Sequence, residues 1–144
     1  MSERARAVGI DPGRRPVGIA VQDDAGGSLA LPHGTVARGA DEAEAVRRVA
    51  DALAALEVRV LVVGLPLRLD GSEGAEARRA RAFAEALGQA VGAPVELRDE
   101  RLTTVQAEGA LRTLGLDGRK RRRVVDEAAA AILLQSFLDG EAAR

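Results

Sequence analysis

The chain has 144 residues, 47% of them apolar, with a formal net charge of −1; this suits one domain, residues 1–144, with a sizeable core and no overall attraction for a polyanion. With no cysteine and a single histidine, His33, it can form no disulfide, thiolate zinc site, cysteine nucleophile or multi-histidine centre, so any metal must be held by oxygen. Two Phe, no Trp and no Tyr leave no aromatic platform for stacked bases, and no run of about 18 apolar residues marks a signal peptide or membrane span. The expected setting is the cytoplasm, away from membranes.

The apolar run Val8-Gly9-Ile10 ends in Asp11, Pro12-Gly13 turns the chain, and residues 17–21 form a second apolar run. This is the pattern of a strand, a tight loop and a neighbouring strand. Asp11 then stands at the end of a sheet, where packing explains it poorly, because carboxylates are rarely buried unless paired or metal-bound. The Pro12-Gly13 turn is expected to expose it. Residues 23–27 read as a hairpin turn and 28–37 as a third strand, which Pro32 confines to a sheet edge with His33 at the surface.

Residues 41–55 carry a helical stripe of Ala45, Val46, Val49, Ala50 and Leu53, with acids at the start. The run Arg59-Val-Leu-Val-Val-Gly64 is a strand apolar on both faces, hence parallel to its neighbours. After a loop over 65–74, in which Ser72 or Asp70 is the expected cap, a helix runs from about Glu73 to Val91 with Ala80, Phe83, Ala84 and Leu87 facing inward. Arg78, Arg79 and Arg81 fall near its other faces, balanced by Glu73, Glu76 and Glu85, and read as a solvated surface.

Residues 94–98 form a short strand that delivers Asp99 and Glu100, and Thr103 with Gln106 has the form of a capping box opening a helix to about Leu114. Sites in open parallel sheets form at the carboxyl ends of strands, which makes Asp99 and Glu100 candidate site acids. Arg119-Lys120-Arg121-Arg122-Arg123 precedes a last helix over roughly 122–138, with a stripe of Val125, Ala129, Ile132, Leu133 and Ser136 or Phe137. Cations at a helix N-terminus oppose the macrodipole, an arrangement that an anionic partner would offset. Asp126 is turned toward the packed side of this helix.

Asp11, Glu100 and Asp126 can converge on one edge of the sheet if the first strand is central. Convergent carboxylates repel unless cations lie between them, and oxygen-only ligation suits Mg²⁺ or Mn²⁺. Two such ions about 4 Å apart activate water and stabilise a leaving oxygen in phosphodiester hydrolysis, so the chemistry suggested is nucleic-acid cleavage.

Gly-Ile-Asp-Pro-Gly with Val-Gly-Ile-Ala-Val, Val-Val-Gly-Leu-Pro with Asp-Gly-Ser-Glu-Gly, Asp-Glu-Arg-Leu-Thr-Thr, and Val-Asp-Glu-Ala-Ala-Ala-Ala-Ile-Leu-Leu-Gln-Ser-Phe-Leu stand in this order over nearly the whole chain. Together they resemble the YqgF family, also called RuvX, whose members are regarded as Holliday junction resolvases and pre-16S ribosomal RNA nucleases. The resemblance implies an α/β, RNase H-like fold: a five-stranded mixed sheet, three antiparallel then two parallel strands, with helices on both faces. It also implies a divalent-metal nuclease holding Mg²⁺ or Mn²⁺, as two ions, on Asp11, Glu100 and Asp126.

Candidate phosphate contacts are Arg14 and Arg15 on the first loop, Arg101 beside Glu100, and Lys120, Arg121, Arg122 and Arg123. Two departures from the family pattern stand out: Arg14-Arg15-Pro16 where a small or polar residue, Lys and Arg are usual, and Glu127 beside Asp126. Adjacent helix residues point about 100° apart, so one of the two acids is expected at a metal. Asp99 is expected to pair with a neighbouring arginine, and a first-turn acid favouring the helix dipole is the competing explanation of Asp126.

The implied substrate is a ribosomal RNA precursor or branched DNA, which a carboxylate-metal centre would cleave alike. A homodimer would suit symmetric incision of a junction. The rival readings are a non-catalytic factor binding ribosomal RNA or a protein through the same face, and an actin-like ATPase or sugar kinase with Asp11-Pro12-Gly13 as its phosphate loop, for which 144 residues cannot easily supply two lobes.

Overall fold

The computed structural model describes residues 4–13, 16–101 and 118–143, with 118–127 as backbone. Five strands, β1 (Arg6–Asp11), β2 (Val17–Gln22), β3 (Ala30–Val36), β4 (Val58–Leu65) and β5 (Val95–Asp99), form one sheet in the order β3-β2-β1-β4-β5. β1 pairs antiparallel with β2 and β2 with β3, whereas β4 lies parallel to both β1 and β5. This is the three-antiparallel, two-parallel pattern that the resemblance implied. β1 is the central strand, and β3 occupies an edge, where Pro32 needs no ladder partner for its missing N–H.

Three described helices complete the fold: α1 (Glu42–Ala52), α2 (Ala75–Val91) and α3 (Gly118–Ala142). Side chains alternate across a strand, so β1 sends Val8 and Ile10 to one face and Ala7 to the other. Val8 and Ile10 pack with Val49, Phe83, Ala84 and Leu87 of α1 and α2, while Ala7 packs with Ala130, Leu133, Leu134 and Phe137 of α3. Helices therefore cover both faces.

The amphipathic stripes of α1 and α2 face the core where periodicity places them, with Val46 and Ala50 of α1 half-buried, and Asp41 caps α1 by accepting from the Glu44 amide. α2 ends at Gly92, whose left-handed φ of 77° lets its amide reach the Gly88 carbonyl at 2.8 Å.

Three details differ from the sequence expectations. α2 starts later than a Ser72 or Asp70 cap would place it, by two and four residues: Gly74 is its N-cap, without a side-chain bond, because Asp70 Oδ1 accepts from the amide and hydroxyl of Ser72 within the loop. α3 begins at Gly118, so the basic run lies inside its first turns rather than before it. On α3 the buried stripe takes Phe137 and adds Ala130, Leu134 and Leu138, whereas Ser136 is exposed and accepts from Arg98 Nη1 at 2.8 Å. The capping box at Thr103 and Gln106 lies outside the described residues. No helix among the described residues is long and apolar enough to cross a membrane.

Candidate functional site

Asp11 closes β1 at its carboxyl end, and only 2% of its surface is exposed. The expectation that the Pro12-Gly13 turn exposes it is therefore corrected. Period-2 alternation puts Asp11 on the same face as Gly9 and Ala7, the face covered by α3. A buried carboxylate is costly unless compensating charge or hydrogen bonds surround it.

Glu100 follows the last residue of β5, and its amide donates to the Leu65 carbonyl at 3.2 Å. Its side chain lies over Gly64 of the intervening strand: a β-carbon on Gly64 would stand 2.5 Å from Oε2 and 3.4 Å from Cβ of Glu100. Val62 faces α3, so Gly64, two residues on, presents the same face. The ladder pairs Ile10 with Val63, which makes Asp11 and Gly64 the next neighbours beyond the paired register. Glycine at 64 thus leaves the space through which the Glu100 carboxylate approaches Asp11. Both acids border Gly13 as well, with Glu100 Oε1 at 3.4 Å and Asp11 Oδ1 at 3.9 Å from where its β-carbon would be.

The third candidate acid lies on a helix seated directly on β1. A β-carbon on Gly9 would meet the Ala130 carbonyl oxygen and the Leu134 β-carbon, each at 2.8 Å, so only glycine permits this approach. Toward its C-terminus α3 reaches the start of the parallel strands, where Glu141 takes Arg59 in a two-pronged ion pair of 2.7 and 2.9 Å. The helix therefore runs antiparallel to β1, and its earlier turns lie toward Asp11. The backbone of Asp126 is one turn before Ala130 and more than two turns inside the helix, too far in for a first-turn dipole role. Glu127 is the next residue, and the side chains of both acids lie outside the described ones.

Asp99 takes the role of an arginine partner. Its carboxylate receives Arg101 Nε at 3.0 and 2.9 Å and Nη2 at 2.6 Å, which holds the Asp99 carboxyl below its ordinary range and raises the Arg101 guanidinium. Arg101 Nη1 also donates to the carbonyls of Arg68 and Leu69, at 3.3 and 3.2 Å. It therefore fastens the β4–α2 loop to the segment that carries Glu100. Arg14 and Arg15 lie outside the described residues, as do the side chains of Lys120, Arg121, Arg122 and Arg123.

One residue here escaped the sequence reading. Arg38, beyond β3, donates from Nη1 to the Pro12 carbonyl and from Nη2 to Glu42 Oε1 at 2.5 Å, with its guanidinium 5.8 Å from the centre of the Phe83 ring. A single side chain so ties the turn after Asp11 to both α1 and α2. Its only local signal is the four-residue spacing to Glu42; the contacts with Pro12 and Phe83 are non-local.

Asp11 and Glu100 supply an all-oxygen donor set of the kind that hard divalent cations prefer, so the residues fit Mg²⁺ or Mn²⁺ chemically. Among the described residues no group of three His, Cys, Asp or Glu side chains could hold an ion; Asp126 falls outside that set. A cleft of about 330 Å³ opens beside the pair, bordered by Gly13, Glu100, Arg38, Glu76, Arg79 and Phe83 among others.

The RuvX family model, described as Holliday junction resolvase, matches residues 5–140. A protein of Anaeromyxobacter sp. (strain Fw109-5) named "Putative pre-16S rRNA nuclease" is 50% identical over 135 residues, covering 94% of this chain and 97% of that protein. One of the same name from Leifsonia xyli subsp. xyli is 49% identical over 136 residues, covering 94% and 86%. The solved structure of T. thermophilus RuvC in complex with Holliday junction substrate superposes with a TM-score of 0.56 at 18% identity, covering 95% of this chain and 96% of that one. That likeness, with the sheet order, makes the fold RNase H-like. By a family model spanning nearly its whole length and relatives half identical to it, the chain belongs to the RuvX family.

Proposed function

We propose that this chain is a single-domain, cytoplasmic, divalent-metal-dependent nuclease that hydrolyses phosphodiester bonds of structured nucleic acid, a ribosomal RNA precursor or a branched DNA. The observation that carries the reading is the approach of Glu100 to Asp11 through the space left by Gly64 and around Gly13, at the carboxyl end of the central strand. Two carboxylates brought together at the ends of β1 and β5 repel one another, and a cation between them relieves that repulsion. The relatives' names and the RuvC neighbour support the same reaction class.

Asp11, Glu100 and Asp126 would hold Mg²⁺ or Mn²⁺. Bound there, a divalent ion would supply an acidic water as nucleophile and neutralise charge on the leaving oxygen. The chain's own contribution is orientation: Arg38 fixes the turn after Asp11, Arg101 fixes the segment bearing Glu100, and Gly9 seats the helix bearing Asp126. Arg14, Arg15 and the cations at 120–123 are proposed to neutralise substrate phosphates, so binding weakens as salt rises.

The test is cleavage of a pre-16S RNA fragment and a four-way DNA junction by the purified chain with Mg²⁺ or Mn²⁺, beside Asp11→Asn, Glu100→Gln and Asp126→Asn. Each amide variant is expected to lose at least a hundredfold in rate while remaining folded. An Asp11→Asn chain that cleaves like the parent sinks the mechanism. Binding without cleavage by the parent favours a non-catalytic factor.

A further inference from the structure

The cleft beside the carboxylates adjoins the same turn that follows Asp11, on the side of the sheet where α1 and α2 pack. Gly13 and Glu100 line it, together with Glu76 and Arg79 from the first turns of α2. At about 330 Å³ it is at the lower end of the usual range of ligand sites, a size that suits one nucleotide better than a base pair.

The three arginines of α2 that the sequence groups as one solvated face do different things. Arg81 pairs with Glu73 at 2.8 Å, and Arg78 is exposed away from the cleft. Arg79 borders the cleft, is exposed, and makes no hydrogen bond or ion pair among the described residues. Arg38, the other cation on the wall, is held by Pro12 and Glu42. Among the described residues Arg79 is thus the cation of this cleft left for a ligand, and the ligand it suits is an anion. Glu76, one turn earlier on the same wall, can accept from sugar hydroxyl or base amino hydrogens.

We infer that the cleft holds one unpaired nucleotide of the substrate strand, its phosphate met by Arg79, next to the phosphate that lies at Asp11 and Glu100. The inference rests on the nuclease reading and adds the substrate class: strands whose bases are unpaired beside the cut. A duplex cannot enter without releasing that base.

The experiment is equilibrium binding of a fluorescent single-stranded oligonucleotide, and of the same sequence closed in a hairpin duplex, to the full chain in EDTA, so that no cleavage intervenes. Arg79→Ala is compared with Arg78→Ala, which removes the same charge one residue away, and with Glu76→Trp, which fills the cleft from an exposed position. Arg79→Ala and Glu76→Trp are expected to weaken single-strand binding about fivefold, Arg79→Ala with a salt slope lower by about 0.7, while Arg78→Ala changes it less than twofold. Duplex binding is expected to respond equally and weakly to all three. Equal losses for Arg78→Ala and Arg79→Ala, equal effects on both ligands, or no single-strand binding by the parent would overturn the inference. A parent that binds in this Arg79-dependent way yet never cleaves supports the cleft and removes the nuclease reading, whereas normal cleavage with no Arg79 effect removes the cleft alone.

Discussion

Arg38 donates to the carbonyl oxygen of Pro12, and by that bond a residue beyond β3 governs the turn that follows Asp11. The same guanidinium binds Glu42 and lies over Phe83, and its side chain is only 15% exposed. Arg38→Met keeps much of the apolar stem and removes the fork, so the turn loses its tie to α1 and α2. We expect a stability loss of about 1–2 kcal/mol in urea denaturation, since the bond is charge-assisted but the Glu42 end is largely exposed. Cleavage is expected to fall at least tenfold, because a small displacement of a reacting group costs far more in rate than in stability. Arg38→Lys restores the charge without the two-way fork and is expected to resemble Arg38→Met. Full activity in Arg38→Met would show that the turn holds its shape unaided.

Gly64→Ala tests the space through which Glu100 reaches Asp11. The added methyl would stand 2.5 Å from Oε2 of Glu100, and the carboxylate is the movable partner. Stability is therefore expected to change by less than about 1 kcal/mol. Cleavage is expected to drop by about the same factor as in Glu100→Gln. Differential scanning calorimetry beside single-turnover cleavage separates the two effects, and a fully active Gly64→Ala chain would remove Gly64 from the argument.

Gly9→Ala strikes the opposite balance. Its methyl would meet the backbone oxygen of Ala130, which cannot swing away as a side chain can. Overpacking of this kind costs about 1–3 kcal/mol and pushes α3 from the sheet. Urea denaturation is expected to give that loss, and cleavage is expected to fall further than in Val49→Ala, a cavity variant in the core on the other face of the sheet. Equal activity in the two would mean that the seating of α3 has no bearing on the site.

What could be read from the sequence was what is local. The strand ending in Asp11, the doubly buried β4, the stripes of α1 and α2 and the edge position set by Pro32 all follow from short-range period and residue type. Asp11 and Glu100 were visible because a carboxylate at the carboxyl end of a strand has no packing reason to be there, and Asp126 because it is turned toward the packed side of its helix; the family resemblance then singled out all three. The parts that escaped depend on contacts distant in sequence. Nothing near Arg38 signals Pro12, 26 residues away. The glycines at 9 and 64 look like ordinary strand residues until α3 and Glu100 are laid against them. The cap of α2 was misplaced because Asp70 and Ser72 satisfy each other inside the loop, and such local pairing competes with helix capping.

The Asp99–Arg101 pair carries a prediction in pH. Arg101 holds the Asp99 carboxyl below its ordinary value of 3.8, chiefly through its side-chain hydrogen bonds. In the unfolded chain Asp99 gains its proton as pH falls through about 3.8, whereas the folded chain keeps it charged to lower pH. The pair's contribution to stability is therefore complete above the unfolded value and is lost as pH falls through the folded one. Asp99→Asn removes it at every pH. The urea midpoint of the parent is expected to exceed that of Asp99→Asn by a constant amount above about pH 5, and the gap is expected to close below pH 3.8. Because Arg101 also binds the Arg68 and Leu69 carbonyls, protease sensitivity of the β4–α2 loop should rise in Asp99→Asn at neutral pH. A gap that persists unchanged into acid would mean that the stabilisation comes from the shape of the turn and not from the charge on Asp99.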